Sequence, residues 1–295
     1  RNTTLAGARF DYHGTPGAIL KGRVIGLGLL LAYHYSFDVS LTLGLATIAL
    51  LLLILPLLLR SSLRFRLHNS SYRGLRFSFR GSVADAYRVF AGYGLLAFLI
   101  ALFWPLFHHR LKRYQHSNSW FGQTPGRFDA SYRDFAGPYV RAIGLMLLAI
   151  MTLGALAAVL SASNGASAGP IPNPMAILGV VYLVVVIGMV GVIQPYLSAR
   201  LQNVIWNHTQ LGEHRFESRV SVRTLMGIQL GNLALTLLTL GFYWPWAAVR
   251  LARYRLESVS LLPAGSLDAF IAAAEQDVAA VGDETAEWFD LDIAL

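Results

Sequence analysis

Long uncharged apolar segments alternate with arginine-rich stretches along this chain, and that alternation constrains the fold more than any single motif. The 24 Lys and Arg residues fall in five clusters: Arg1 to Arg23, Arg60 to Arg88, Arg110 to Arg141, Arg200 to Arg223, and Arg250 to Arg255. Between them lie six apolar segments: Val24 to Phe37 (starting as early as Ile19), Leu41 to Leu59, Val89 to Phe107, Tyr139 to Leu160, Met175 to Leu197, and Thr224 to Val249. Basic loops stay on the cytoplasmic side of a membrane. Strict alternation of six spans would translocate the clusters Arg110 to Arg141 and Arg200 to Arg223. If the third and sixth segments dip in and return, every basic residue stays on one side. The sequence therefore predicts a polytopic α-helical membrane protein with internal repeats: four full spans plus two re-entrant helical segments, with cytoplasmic β-hairpins and an acidic C-terminal tail. Six spans are the alternative.

Composition agrees with that class. The chain is 55% hydrophobic and 14% charged, with mean hydropathy +0.50, where a soluble domain carries about 25% charge. Breakers such as Gly92, Gly94, Gly227 and Gly231 suit the re-entrant segments. Irregular backbone at membrane depth must be buried in protein or line a wet cavity. Gln194, Gln229 and Asn232 are the expected lining of such a cavity. There is no cysteine, which excludes disulfides and thiolate metal sites. All but Lys21 and Lys112 of the basic residues are Arg, whose planar forks suit anionic headgroups or an acidic partner. The charge is spread over loops and forms no stripe, so no nucleic-acid partner is expected.

A motif recurs along the basic stretches. Asn is followed eight to ten positions later by the Phe of an Arg-Phe pair four times: Asn2 with Arg9-Phe10, Asn69 with Arg76-Phe77, Asn118 with Arg127-Phe128, and Asn207 with Arg215-Phe216. A Gly lies between them each time, as expected of a β-hairpin. Pro56, Pro105 and Pro195 precede Asn69, Asn118 and Asn207 by 12 or 13 residues, and Pro245 lies 13 before Ser258. These hairpin residues are expected to be structural. The expected layout is a first repeat half over 1–127, a second over 128–262, and an acidic cytoplasmic tail over 263–295. Asn2 already closes a unit, so an upstream unit is expected before Arg1.

The stretch Asn69-Ser-Ser-Tyr-Arg-Gly-Leu-Arg-Phe-Ser-Phe-Arg-Gly81 resembles the YjgN-like family of bacterial inner-membrane proteins of unknown function. Leu238-Thr-Leu-Gly-Phe-Tyr-Trp-Pro-Trp-Ala-Ala-Val-Arg250, and Arg9 to Gly14 with Ala18 to Arg23, are similar to it too. The resemblance implies a multi-pass inner-membrane protein and carries no active site. It also suggests a partner, because genes of this family often lie beside membrane-linked zinc metallopeptidases.

No motif for catalysis stands out. His108 and His109 diverge on a helix, no His-Glu-x-x-His spacing exists, and no phosphate loop appears. No enzyme activity, metal or cofactor is expected. No carboxylate lies inside an apolar segment, which disfavours an ion-coupled carrier. The tail is different in kind. Leu267, Phe270, Ile271 and Ala274 are spaced for a short amphipathic helix. Trp288, Phe289, Asp290, Leu291 and Asp292 alternate apolar and acidic groups, as a partner-binding edge strand would. The reading is a non-enzymatic inner-membrane scaffold or adaptor with cytoplasmic termini, binding a protein partner or anionic lipid. A transporter, channel or lipid-handling protein is the alternative.

Overall fold

A computed structural model describes residues 3–5, 7–164, 179, 182, 188–266, 268, 270–272 and 274. Two strands, β1 (Thr4–Leu5) and β2 (Ala8–Tyr12), open the chain. Two long helices follow, α1 (Pro16–Val39) and α2 (Leu41–His68). They part at Ser40, whose hydroxyl accepts the Leu43 N–H and caps α2. Next come β3 (Ser70–Tyr72) and β4 (Leu75–Phe79). Arg73 and Gly74 between them both have positive φ, 48° and 87°, which a two-residue I′ hairpin turn demands.

A broken helical path leads onward through α3 (Val83–Tyr87), a π turn (Arg88–Tyr93), α4 (Gly94–Leu99) and a 3-10 turn (Ala101–Phe103). Then α5 (Trp104–Ser117) folds back, laying Arg110 over the Tyr93 ring and Tyr114 edge-on to Phe90. The remaining elements are β5 (Ser119–Phe121), β6 (Thr124–Phe128), α6 (Tyr132–Asn164), a π turn (Met189–Ile193), α7 (Gln194–Asn207), β7 (Thr209–Leu211), β8 (His214–Ser218), α8 (Val222–Leu238), α9 (Trp244–Glu257) and β9 (Val259–Leu262).

The strands hydrogen-bond in chain order, β1 to β9, and the pairs from β1 to β8 are antiparallel. Contacts divide the chain into two compact units. One comprises Arg1–Asp129, Thr209–Arg215 and Leu262–Leu295, and the other Ala130–His208 and Phe216–Leu261. In the first, Tyr72, Leu75 and Phe121 form one buried cluster, and Phe79, Ala86, Val89 and Tyr114 a second. In the other, Ala199, Val220 and Leu225 are the buried centre.

The predicted fold class does not hold. Among the described residues two helices are long and apolar enough to cross a membrane, by length and composition: Leu41–His68 and Tyr132–Ala155. Four spans plus two re-entrant segments, and equally six spans, are overturned by that finding. The hairpins join one sequential sheet. The physical reason lies in the breakers. Val89 to Phe107 is divided by the π turn and by extended Ile100 (φ −132°, ψ 95°). Thr224 to Val249 is divided where Leu240 and Gly241 take φ of 50° and 95°. The first segment lies in α1, which also carries Lys21, Arg23 and Asp38. Hydropathy averaged over a window registers none of these turns. Much of the fifth segment lies outside the described residues.

Candidate functional site

The sheet in the first unit has two unlike faces, because side chains alternate along each strand. Ala8, Phe10, Tyr72, Leu75, Phe77 and Phe121 point to one side and pack together. Phe77 lies opposite Phe121 in register, with ring centroids 5.0 Å apart. The C-terminal segment covers this face. Ile271 and Ala274 are buried against it, and Phe270 stacks on Phe121 at 6.0 Å and meets His214 edge-on at 4.3 Å. Asp268 pairs with Arg73, and His214 Nδ1 accepts the Ala264 N–H at 3.2 Å.

Arginines stud the opposite face. Arg9, Arg76, Arg127 and Arg215 are all exposed. Arg127 lies opposite Gln210, which lies opposite Arg215, so the three form one row across β6, β7 and β8. Adjacent strands are about 4.8 Å apart, which puts the two arginine backbones about 10 Å apart. Asp11, Ser71 and Arg76 make a second row, with balanced charge. Arg80 lies 4.1 Å over the Trp120 ring and donates to Gln123 Oε1 at 2.8 Å. The face can hold an anion or an acidic surface. Among the described residues no group of His, Cys, Asp and Glu could hold a metal ion.

The predicted hairpin residues fall at recurring positions, though not all at the same one. Asn69 and Asn118 close α2 and α5 by donating from Nδ2 to the carbonyls of Phe65 and Tyr114, each at 2.8 Å. Asn207 does not close α7. His208 does, through Nδ1 and the Val204 carbonyl at 2.8 Å, while Asn207 Oδ1 accepts the Ser218 N–H at 2.6 Å. Ser258 closes α9 in the same manner, on Tyr254. Counted from these caps the proline spacing is 13 in every case: Pro56, Pro105, Pro195 and Pro245. Ser82, Ser131 and Ser221 lie 13 beyond Asn69, Asn118 and His208. Each accepts a backbone N–H at the start of the next helix. By this register Arg76-Phe77 and Arg215-Phe216 are equivalent, whereas Arg127-Phe128 sits two positions later. Phe128 is buried beside His109 and His116, and Phe216 packs on Trp206.

Sequence reasoning missed a polar knot in the second unit. Asn203 Oδ1 accepts from Ser218 Oγ (2.9 Å) and Val220 N (2.8 Å), and its Nδ2 donates to the Val220 carbonyl (3.0 Å). Gln202 joins Arg255 twice, at 2.8 Å each, and burial lowers the Arg255 pKa. The spacing of Asn203 and Asn207, one helical turn, was the available signal. Among the histidines of α5, His109 is buried. Burial, reinforced by the nearby Lys112 charge, pushes both His108 and His116 down to about 4.

The expected cavity residues separate. Gln194 is exposed at the start of α7 and donates to Ser198 Oγ at 3.2 Å. Gln229 and Asn232 share one face of α8, and Asn232 Nδ2 donates to the Ala247 carbonyl of α9 at 3.1 Å. The tail residues Trp288, Phe289, Asp290, Leu291 and Asp292 lie outside the described residues, as do Asn2 and Leu267.

These features define an α+β chain with a sequential antiparallel sheet and two membrane-capable helices. It belongs to the family described as bacterial protein of unknown function (DUF898), whose family model matches residues 1–288. This is the YjgN-like family that the motifs resemble. No curated protein and no solved structure matches the chain.

Proposed function

We propose that this protein is a non-enzymatic scaffold of the bacterial inner membrane that docks an acidic protein partner on the arginine face of its sheet. The row Arg127–Gln210–Arg215 carries the reading. Two exposed arginines flank Gln210 there, whose Nε2 donates to the Asp129 carboxylate at 3.4 Å, and the positive charge that this one carboxylate leaves over attracts a further anion. The opposite face is already covered by Phe270, Ile271 and Ala274, so the arginine face is the one left for a partner. In this reading α2 and α6 are held in the bilayer, and the sheet and both termini lie on its cytoplasmic side. The recurring cap spacing reflects internal duplication. A membrane-linked metallopeptidase is the first partner to seek, given the gene neighbours of the family.

The test is purification in mild detergent of the wild type and of the Arg127→Glu, Arg215→Glu double variant. Wild type is expected to retain an acidic partner that salt releases, as screening requires. The double variant should lose it at least tenfold. Equal recovery by both proteins would reject the arginine face as the dock.

Two observations favour other readings. Arg64 and Arg66 are exposed just past the apolar stretch of α2, where anionic headgroups would meet them. Anionic lipid retained equally by the double variant would place the lipid there. In the second unit, Gln229 Oε1 and Asn232 Oδ1 are buried and accept no hydrogen bond from the described residues, which favours a polar path for a transporter, channel or lipid-handling protein. Substrate flux abolished by Asn232→Leu would support that alternative.

A further inference from the structure

We infer that the acidic segment Glu284 to Asp292 of this chain docks on its own sheet, where Arg80 stacks on Trp120, and competes there with the acidic partner. The contact stands on geometry and charge alone; its competitive effect rests on the acidic-partner reading.

The receptor is already built. Arg80 lies 4.1 Å over the Trp120 ring, and its Nη2 donates to Gln123 Oε1 at 2.8 Å. That leaves Nε and Nη1 of the fork for a carboxylate. A guanidinium fixed by a ring and an amide loses little further freedom when an anion binds. Among the described residues Arg80 has no carboxylate at ion-pair distance, whereas Arg73, Arg88, Arg219 and Arg253 each have one. Trp120 lies in register between Ser78 and Pro125. Arg127 follows Pro125 by two residues on β6, so it stands on the same face about 6.6 Å further along. The surface therefore presents a ring and then an arginine at one two-residue step.

The segment lies outside the described residues, and its sequence matches in charge and in spacing. From Leu256 onward the chain has no Lys or Arg, while Glu284, Glu287, Asp290 and Asp292 are acidic. Trp288, Asp290 and Asp292 recur at every second residue, the interval at which an extended peptide presents one side. A ring followed by carboxylates complements a ring followed by an arginine.

The tether reaches. Asp268 pairs with Arg73 in the β3–β4 turn, and Phe270 lies 3.7 Å from where a Cβ on Gly212 of the β7–β8 turn would stand. The chain thus arrives at the turn end of the sheet, where Gln123 also lies, with Ala274 still buried against the apolar face. Glu284 comes ten residues later, about 33 Å of extended chain. The path round a sheet to its other face is about 10 Å. Arg80, Trp120, Arg127 and Ala274 belong to one compact unit. Tethering makes the encounter intramolecular, at millimolar effective concentration, so a weak contact suffices.

The chain has no native cysteine, so an introduced pair is specific. The full chain bearing Pro125→Cys and Leu291→Cys is treated in mild detergent with a short bismaleimide. Pro125 is exposed on the arginine face, and neither substitution removes a charge. A cross-link within one chain is expected, weakened at least fivefold by Arg80→Glu and restored when Asp290→Arg and Asp292→Arg are added. No cross-link, one that survives the charge reversal, or one that joins two chains would overturn the inference. Competition is read separately, by partner recovery from the wild type and from the Glu287→Gln, Asp290→Asn, Asp292→Asn variant. Recovery is expected to rise at least threefold in the variant, and equal recovery would overturn the competition. A cross-link that behaves as expected while neither protein yields a partner would count against the acidic-partner reading and leave the contact established.

Discussion

At one position the two units close the same local geometry by different chemistry. Ten residues past the caps Asn69 and His208, the last inward residue of the long strand is Phe79 in the first unit and Ser218 in the second. Phe79 is buried edge-on to Tyr114, with ring centroids 5.3 Å apart, in a cluster against which Leu63 and Leu67 at the end of α2 pack. Ser218 is equally buried, but its hydroxyl and N–H are held by Asn203 and Asn207. The lesson is that cap, hairpin and following serine are specified locally, while the filling behind them is free to be apolar or polar. An aromatic filling gains from area removed from water. A polar filling is stable only when complete, because each lost partner leaves a buried group unpaired.

That contrast can be broken experimentally. Phe79→Ala should cost about 3–5 kcal/mol, as large aromatic truncations in packed sites do, and should lower the thermal midpoint of the first unit. A loss below about 1 kcal/mol would mean the site collapses freely and the aromatic filling is dispensable. Asn203→Ala should cost about 2 kcal/mol, since three bonds go and Ser218 and Val220 are left unsatisfied. Adding Ser218→Ala should then cost little more, a coupling that a double-mutant cycle measures.

A third effect is one of pH. His116, in the first unit, is held down to about 4 in the fold, against 6.5 when free. Between those values the unfolded chain binds a proton that the folded chain refuses. Stability is therefore complete above 6.5 and falls as pH drops toward 4, by on the order of 1 kcal/mol per pH unit. His116→Gln should roughly halve the decline of the thermal midpoint between pH 6.5 and 4, because His108, also held down to about 4, keeps its own share. Identical profiles would assign the decline to other groups.

The sequence displayed some of this plainly and hid the rest for physical reasons. Proline and asparagine spacing exposes the recurring caps, because both residue types act within a few positions of themselves. His208 was hidden, since a histidine at a helix end has no spacing signature, and Asn207 beside it drew the motif off by one. Arg127-Phe128 was displaced for a related reason. Gly126 occupies the place of Phe77 and Phe216, and a Cβ there would lie 2.4 Å from the His116 carbonyl oxygen. The merging of hairpins into one sheet had no local signal at all. It depends on pairs such as Phe10 with Tyr72, Phe77 with Phe121 and Phe128 with Thr209, each bridging intervening helices. The arginine face follows from strand alternation once strand positions are known, but the motif spacing alone does not align its members.

The two faces of the sheet give the most direct test of the proposed role. Gln210 and Leu211 are neighbours on β7 and point to opposite faces. A photo-crosslinking amino acid placed at one or the other, in living cells, reports which face meets a partner. The account predicts an adduct with an acidic protein from position 210 and none from position 211, with the adduct lost in the Arg127→Glu, Arg215→Glu background. An adduct from 211 alone, or one from 210 that survives the charge reversal, would contradict it.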